Sequence, residues 1–327
     1  MKELVIISGK GGTGKTSIVA SFAALAEKAV LADCDVDAAD LHLVLAPTIL
    51  RRETFLCGHE AIIRQADCIG CGACLARCRF GAVKCVEAKD TGGRVVCENC
   101  AEGCLRSCPV KSADVMEAIR ETCGETGQPS FFIDPTACEG CGVCVTQCPV
   151  KAIDFPERVS GEWYVSDTRH GPMVHARLTP GGENSGKLVS KVREAARAMA
   201  EERKADWILV DGPPGVGCAV IASVSGASLV LVVTEPTLSG AHDMTRVLEL
   251  TRHFNIPTAV CVNKWDLNAE MTERIESEAR QAGATIAGRV RYDRAVTAAQ
   301  LQGLAVVEID AGPVGDDVRA VWENLLR

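Results

Sequence analysis

Gly9-Lys10-Gly11-Gly12-Thr13-Gly14-Lys15-Thr16 follows a short apolar run, residues 4–8, and opens a stretch, 14–28, with helical periodicity and small residues along one side. The octet fits G-x-x-x-x-G-K-[ST], the phosphate-binding loop that joins a strand to a helix. Its chemistry follows from the residue types. Without side chains in the way, the backbone N–H groups of Gly11, Gly12, Thr13 and Gly14 can converge on phosphate oxygens. Lys15 carries charge to the β- and γ-phosphates, and the Thr16 hydroxyl is a Mg²⁺ ligand. The helix adds the positive end of its dipole. A glycine-rich turn that matches by chance is the alternative, and the strand–loop–helix context argues against it.

Outward from this loop, short apolar runs end in acidic or amide residues. Residues 29–32 predict a second strand ending at Asp33 and Asp35, and residues 207–210 another ending at Asp211. Further strands are expected at 229–234, 258–262 (ending at Asn263), 285–290 and 305–309. Helical stretches over 240–254 and 268–282, one from about Asp293 and one running to Arg327, alternate with them. Such alternation predicts an α/β fold with a mostly parallel sheet covered on both faces. Functional residues then belong at the C-terminal ends of strands, where Asp33, Asp35, Asp211 and Asn263 all fall.

From about Cys57 to Phe155 the alternation gives way to cysteine, glycine and short turns. The break predicts residues 1–56 as the first part of a P-loop domain, 57–157 as an inserted domain and 158–327 as the second part. Of the 327 residues 47% are apolar but only 4% aromatic, so the core is aliphatic. A net charge of −8 argues against general nucleic-acid binding, which needs a basic face. No apolar run reaches the roughly 18 residues of a spanning helix, and the N-terminal strand has no signal-peptide pattern. Eighteen cysteines are present, twelve of them in three tight groups between Cys68 and Cys148. They are expected in a reducing, cytoplasmic setting, as metal ligands rather than disulfides.

Cys68-x2-Cys71-x2-Cys74-x3-Cys78 and Cys138-x2-Cys141-x2-Cys144-x3-Cys148-Pro149 are two bacterial ferredoxin runs. Three closely spaced thiolates wrap one face of a cubane, and the fourth points to the other cluster. Crossed pairing puts Cys68, Cys71, Cys74 and Cys148 on one [4Fe–4S] cluster and Cys138, Cys141, Cys144 and Cys78 on a second. Zinc is the structural alternative. Arg79 stands where proline follows the second run. The middle group, Cys97-x2-Cys100-x3-Cys104-x3-Cys108, is one residue longer than the standard run and is flanked by Cys85 and Cys123. It could pair with the first run, or form an insert over 85–129 that holds a third cluster or a zinc ion.

Lys10 gives the loop the form K-G-G-T-G-K-T. With Asp33-Cys34-Asp35-Val36-Asp37 and Asp211-Gly212-Pro213-Pro214-Gly215 in order after it, the chain resembles the deviant Walker A ATPases of the MinD/ParA and nitrogenase iron protein superfamily, in particular members with an inserted ferredoxin domain. The resemblance implies Mg²⁺-ATP hydrolysis to ADP and phosphate. It implies that Lys10 reaches across a nucleotide-sandwich homodimer to the partner's phosphates. Asp35 would orient or activate the attacking water with Asp33 in support, Asp211 would hold Mg²⁺ through water, Gly215 would sense the γ-phosphate and Asn263 would contact adenine. Asn263-Lys264-Trp265-Asp266 also has the N-K-x-D form of GTPases, in which Asp266 would pair with guanine. The deviant Walker A favours ATP.

Cys218 follows Asp211 by seven residues, the spacing of a cluster ligand in the nitrogenase iron protein. No cysteine between Cys148 and Cys218 supplies the second ligand that such a bridging cluster takes from each subunit. Cys218 is therefore either a small packed residue or one of two thiolates meeting on a dimer axis around a metal or a delivered cluster. Residues 181–187 open a helix with no clear strand before them and are not a second phosphate loop. Residues 163–187 read as a polar loop facing a partner or substrate, with His170 and His175 as ordinary loop residues. Two functions remain: ATP-gated electron transfer to a redox protein, or assembly and delivery of a cluster to an acceptor, as in Mrp-type relatives. A membrane role is not expected, because residues 314–327 carry Asp316, Asp317 and Glu323 and lack a basic amphipathic face.

Overall fold

The computed structural model describes residues 1–86, 130–179 and 185–327. Cys97, Cys100, Cys104, Cys108 and Cys123 lie outside the described residues. The chain forms two compact units, Met1–Phe55 with Ser160–Arg327, and Leu56–Val159. The described strands are β1 (Lys2–Ser8), β2 (Ala29–Asp33), β3 (Thr48–His59), β4 (Ile62–Ile63), β5 (Val83–Val86), β6 (Ser130–Ile133), β7 (Ile153–Asp154), β8 (Glu157–Thr168), β9 (Gly171–Leu178), β10 (Trp207–Pro214), β11 (Leu229–Thr234), β12 (Thr258–Asn263) and β13 (Thr285–Val290). The helices are α1 (Lys15–Leu25), α2 (Leu41–Leu45), α3 (Ala73–Arg77), α4 (Val143–Gln147), α5 (Ser185–Glu202), α6 (Cys218–Val224), α7 (Leu238–His253), α8 (Ala269–Gln281), α9 (Arg294–Leu301) and α10 (Pro313–Leu326). None of the described helices is long and apolar enough to cross a membrane.

Nine strands form one sheet in the order β13-β12-β11-β1-β10-β2-β9-β8-β3. From β13 to β9 every neighbouring pair is parallel, and β8 runs antiparallel to β9. The period-two geometry of β1 explains its continuous apolar run. Val5 and Ile7 pack on one face with Leu188, Val192 and Met244, while Leu4 and Ile6 pack on the other with Ile18, Phe22 and Trp322. All four are fully buried.

Three sequence expectations need correction. Residues 305–309 are not a strand: Val306–Glu308 is a 3₁₀ turn. Glu308 closes it by accepting the Ala305 N–H at 2.7 Å, and it also binds Arg169 and His170. Nor is 163–187 simply a loop, since it contains most of β8 and all of β9. The β9 core, Pro172–Ala176, is buried, because this strand extends the sheet beside β2. His175 is therefore a core residue, stacked on Tyr164 at 4.9 Å with its Nε2 2.8 Å from Ser166 Oγ. His170 sits in the β8–β9 turn, 2.9 Å from Glu308.

In the second unit, adding 70 to a residue number carries the first cysteine run onto the second. The hydrogen bonds obey the same relation. Arg64 N–H donates to Ala152 C=O at 2.8 Å, and Asp134 N–H donates to Ala82 C=O at 2.8 Å. β4 pairs with β7 and β5 with β6, both antiparallel, so each half completes the other's hairpin. Gly72 and Gly142, both left-handed, start α3 and α4.

Candidate functional site

A cleft of about 900 Å³ opens at the C-terminal ends of β1, β2, β10 and β12 in the first unit. Its floor is the loop Gly11–Thr16, and Asp35, Pro213, Pro214, Asn263 and Lys264 line its sides. Gly14 has φ +85°, and a Cβ there would stand 2.4 Å from Asn263 Nδ2. Only glycine fits this turn, which brings the Thr13 carbonyl to accept from Asn263 Nδ2 at 2.8 Å. At Gly9 an added Cβ would meet the Asp243 Cβ at 2.2 Å, so α7 packs directly on the loop.

The charged centre is compact. Lys15 Nζ lies 2.7 Å from Asp211 Oδ1 and 3.3 Å from Asp35 Oδ2. Thr16 Oγ1 donates to Asp211 Oδ2 at 2.7 Å, so both Asp211 oxygens are engaged by the loop. Asp33 is fully buried and accepts the N–H groups of Asp35 and Leu41 at 3.1 and 3.3 Å. Burial, then the Asp211 charge, pushes the Asp33 carboxyl well above its usual range. Burial raises Asp35 as well, against the pull of Lys15. Lys15 is itself raised: burial opposes its charge, but Asp211 and Asp35 outweigh burial. Two carboxylates thus pair with one ammonium, with the buried Asp33 carboxyl behind them, an arrangement short of positive charge. Thr16 and Asp211 offer the hard oxygen donors that Mg²⁺ takes, and the loop amides suit a polyphosphate. Thr13 Oγ1 is buried and has no hydrogen-bond partner among the described residues.

Other expected site residues are placed differently. Lys10 is held within its own chain, 3.4 Å from Glu235 Oε2 and 3.3 Å from Ser239 Oγ. Glu235 also pairs with Lys264, whose Nζ lies 3.4 Å from the Gly12 carbonyl. Gly215 has φ +90° and donates its N–H to Ser8 C=O at 2.8 Å, so that donor is already committed. Asp266 does not line the cleft: it is exposed, and its Oδ1 accepts the Tyr292 N–H at 2.7 Å. Cys218 is exposed on the cleft lining at the start of α6, beside Gly186 of α5. Sequence reasoning missed Glu235, Ser239 and Tyr292. Glu235 follows the last residue of β11, so the strand-end rule applied to every strand would have found it.

In the second unit Cys68, Cys71, Cys74 and Cys148 line one small cavity with Ile63, Phe131 and Ile153. Cys148 Sγ accepts the Ala152 N–H at 3.2 Å. By the internal two-fold, Cys78 stands to Cys138, Cys141 and Cys144 as Cys148 stands to the first run. Burial, partly offset by nearby N–H groups, pushes the Cys74 thiol up to about 11. Burial raises Cys144 too, and Cys138 and Cys141 add to it. For Cys78 burial is outweighed by the amides from Phe80 to Val83, and its thiol is lowered. Four thiols around a cavity, with N–H groups aimed at sulfur, are a donor set that fits an iron–sulfur cluster. Among the described residues no three His, Cys, Asp or Glu side chains close on a single ion.

The CobQ/CobB/MinD/ParA nucleotide binding domain family matches residues 4–307. An uncharacterized protein of Methanocaldococcus jannaschii is 32% identical over 275 residues, 81% of this chain and 79% of the other. A 7Fe ferredoxin of Hydrogenibacillus schlegelii is 36% identical over 61 residues, 18% of this chain and 78% of the ferredoxin, and ferredoxin matches of this kind fall in the inserted region. A chain of the MinC:MinD cell division protein complex of Aquifex aeolicus superposes with a TM-score of 0.52 at 17% identity, covering 100% of this chain and 96% of that one. At that identity the likeness shows fold alone. On the parallel sheet, the phosphate loop and these matches together, the chain belongs to the CobQ/CobB/MinD/ParA nucleotide-binding family, interrupted by a ferredoxin-like, cysteine-rich region.

Proposed function

We propose that this protein hydrolyses ATP as a homodimer and uses the nucleotide cycle to gate electron transfer, through [4Fe–4S] clusters of the inserted unit, to a redox partner. The observation that carries the reading is the convergence of Cys68, Cys71 and Cys74 with Cys148, from the other end of the insert, around one cavity in a chain that also assembles Lys15, Thr16, Asp35 and Asp211. Bound clusters supply one-electron chemistry. The chain's own residues do the rest. The loop amides and Lys15 bind the phosphates, Thr16 and Asp211 hold Mg²⁺, and Asp35 orients water for phosphoryl transfer. Lys10, now tied to Glu235 and Ser239, would leave them for the partner subunit's nucleotide. In the second unit, Cys68, Cys71, Cys74 and Cys148 would hold one cluster and Cys78, Cys138, Cys141 and Cys144 the other. The middle cysteine group would hold a third cluster or zinc.

A second reading, ATP-dependent assembly or delivery of a cluster, is favoured by one observation: the Cys218 thiol is exposed on the lining of the nucleotide cleft. Two such thiols could meet across a dimer.

Anaerobic reconstitution followed by iron and sulfide analysis, EPR and ATPase assay tests both readings. About eight irons per chain are expected from the outer runs alone, and about twelve with a third cubane. Reoxidation of the reduced clusters by an acceptor should depend on whether ATP or ADP is bound. If ATP alters neither cluster potential nor transfer to any acceptor, gating is wrong. If Cys218→Ala leaves metal content and cluster release unchanged, the delivery reading is wrong.

A further inference from the structure

Lys151 stands in the left-handed region, φ +53°, in the turn that follows Cys148. Its two-fold mate, 70 positions earlier, is Gly81 at φ +64°. A side chain is strained in that conformation and glycine is not. In this turn the Lys151 N–H donates to Cys148 C=O at 3.2 Å, and the next N–H, that of Ala152, donates to Cys148 Sγ at 3.2 Å. A turn that relaxed from the left-handed form would draw the Ala152 N–H off the sulfur and shift the thiol.

Arg64 holds this turn from outside. Its Nη2 donates to the Lys151 carbonyl at 2.6 Å, its backbone N–H donates to the Ala152 carbonyl at 2.8 Å, and its Nη1 pairs with Asp154. Its Nε donates to Asp67 Oδ2 at 2.7 Å, and Asp67 is the residue before Cys68. One guanidinium thus joins the residue beside the first thiol of the cavity to the turn beside its fourth, two segments far apart in the chain. Among the described residues the other half has no such link. The mate of Arg64 is Asp134, whose Oδ1 accepts the N–H and the hydroxyl of Thr136 at 2.9 and 2.7 Å. The mates of Asp67 and Asp154 are Ala137 and Lys84. With glycine at position 81, that half has a turn that stays left-handed without a clamp.

We propose that Arg64 is a positioning residue for the cluster that Cys68, Cys71, Cys74 and Cys148 would hold: by pinning the strained Lys151 turn it keeps Cys148 in place as the fourth ligand. The matching set, Cys138, Cys141, Cys144 and Cys78, needs no such residue. Arg64 is itself no ligand. Its side chain is 41% exposed, so its ion pairs contribute little and the weight falls on the charge-assisted bond to the Lys151 carbonyl. The assignment rests on the cluster reading proposed above.

The test is anaerobic release of iron to a ferrous chelator from the reconstituted full chain, with EPR of the dithionite-reduced protein taken as release proceeds. Arg64→Ala should release about four irons per chain about tenfold faster than wild type, the size of one charge-assisted hydrogen bond. The remaining irons should leave at the wild-type rate, so the spectrum loses one [4Fe–4S]⁺ centre and keeps the rest. Uptake of about four irons fewer by Arg64→Ala is the same result in stronger form. Arg64→Lys keeps the cation with fewer donors and should fall between. Lys151→Gly in the Arg64→Ala background should slow release again by about threefold, because glycine holds the turn unclamped. Asp134→Ala, at the mate position, should match wild type. A merely structural role would speed the loss of all irons together. That outcome, or a wild-type rate in Arg64→Ala, overturns the part given to Arg64 while the cluster reading stands. Absence of recovery with Lys151→Gly overturns the pinning of the turn, and equal acceleration by Asp134→Ala overturns the difference between the halves. A wild-type chain that takes up no iron and sulfide overturns this inference and the cluster reading together.

Discussion

Asp211→Asn should tighten magnesium-free ADP rather than weaken it. Both Asp211 oxygens engage loop groups that a phosphate would also use. One oxygen takes the Lys15 ammonium at 2.7 Å and the other takes the Thr16 hydroxyl at 2.7 Å. A diphosphate arriving without a metal must break both bonds and then sit beside a carboxylate that is only 1% exposed. The isosteric amide can still accept from Lys15 and donate to Thr16, so the fold is kept. A neutral acceptor holds an ammonium about half as strongly as a carboxylate, a difference of roughly 1–1.5 kcal/mol, or about tenfold in affinity. Removing the repulsion between carboxylate and phosphate adds to that, because like charges about 4 Å apart at the surface of a protein interact by up to about 4 kcal/mol. Tenfold is therefore the lower bound. With Mg²⁺ present the ordering should reverse, since wild type gains a metal ligand that the variant lacks. Calorimetry of ADP in EDTA and in excess Mg²⁺, on wild type and Asp211→Asn, reads both effects. Unchanged or weaker binding of the variant in EDTA would refute the reasoning.

Four further outcomes follow from the packing. Thr13→Val removes a buried hydroxyl with no partner among the described residues and should stabilise the nucleotide-free protein by about 1 kcal/mol; a lower melting temperature would mean that the hydroxyl is satisfied. Glu3→Ala should cost about 3–5 kcal/mol, because it strands the buried Arg193 guanidinium that Glu3 Oε1 holds at 2.6 and 2.8 Å. The pair Glu3→Leu with Arg193→Met should recover much of that loss in chemical denaturation, and no recovery would place the energy elsewhere. Burial, with His42 nearby, pushes the His175 imidazole down to about 4. Its neutral form thus contributes stability that is complete above the unfolded value of about 6.5 and is lost as pH falls towards 4, by at most about 3 kcal/mol. His175→Gln should flatten the melting temperature between those pH values relative to wild type, and an unchanged slope counts against it. Lys151 has φ +53° where its two-fold mate is Gly81 at φ +64°. Lys151→Gly should therefore stabilise the cluster-loaded protein by about 0.5–1 kcal/mol, the left-handed strain less glycine's extra chain entropy; faster iron loss to a chelator is the contrary result.

Much of this architecture was legible because its signals are local. The phosphate loop, the strand-end aspartates and the two cysteine runs each need only short spacing, and the runs' 70-residue repeat carries over to matched hydrogen bonds at Arg64 and Asp134. Local patterns misled where a distant partner does the deciding. The β8–β9 hairpin looked like a loop because its polar residues and turn glycine mask a strand made coherent only by β2 alongside it. Residues 305–309 have a strand's apolar composition, yet Glu308 caps them into a turn and ties them to Arg169, 139 positions away.

The same division holds at the sites. Residue types and spacing were enough to name the nucleotide loop, the α/β class and the ferredoxin-like character of the insert, since each rests on chemistry within a few residues. Which groups are already paired within the chain was decided only by folding. Lys10 meets Glu235, Gly215 spends its N–H on Ser8, and Asp266 turns from the cleft to hold Tyr292. A side chain's role depends on which donors and acceptors remain unpaired around it, and those partners come from strands and loops far apart in the chain.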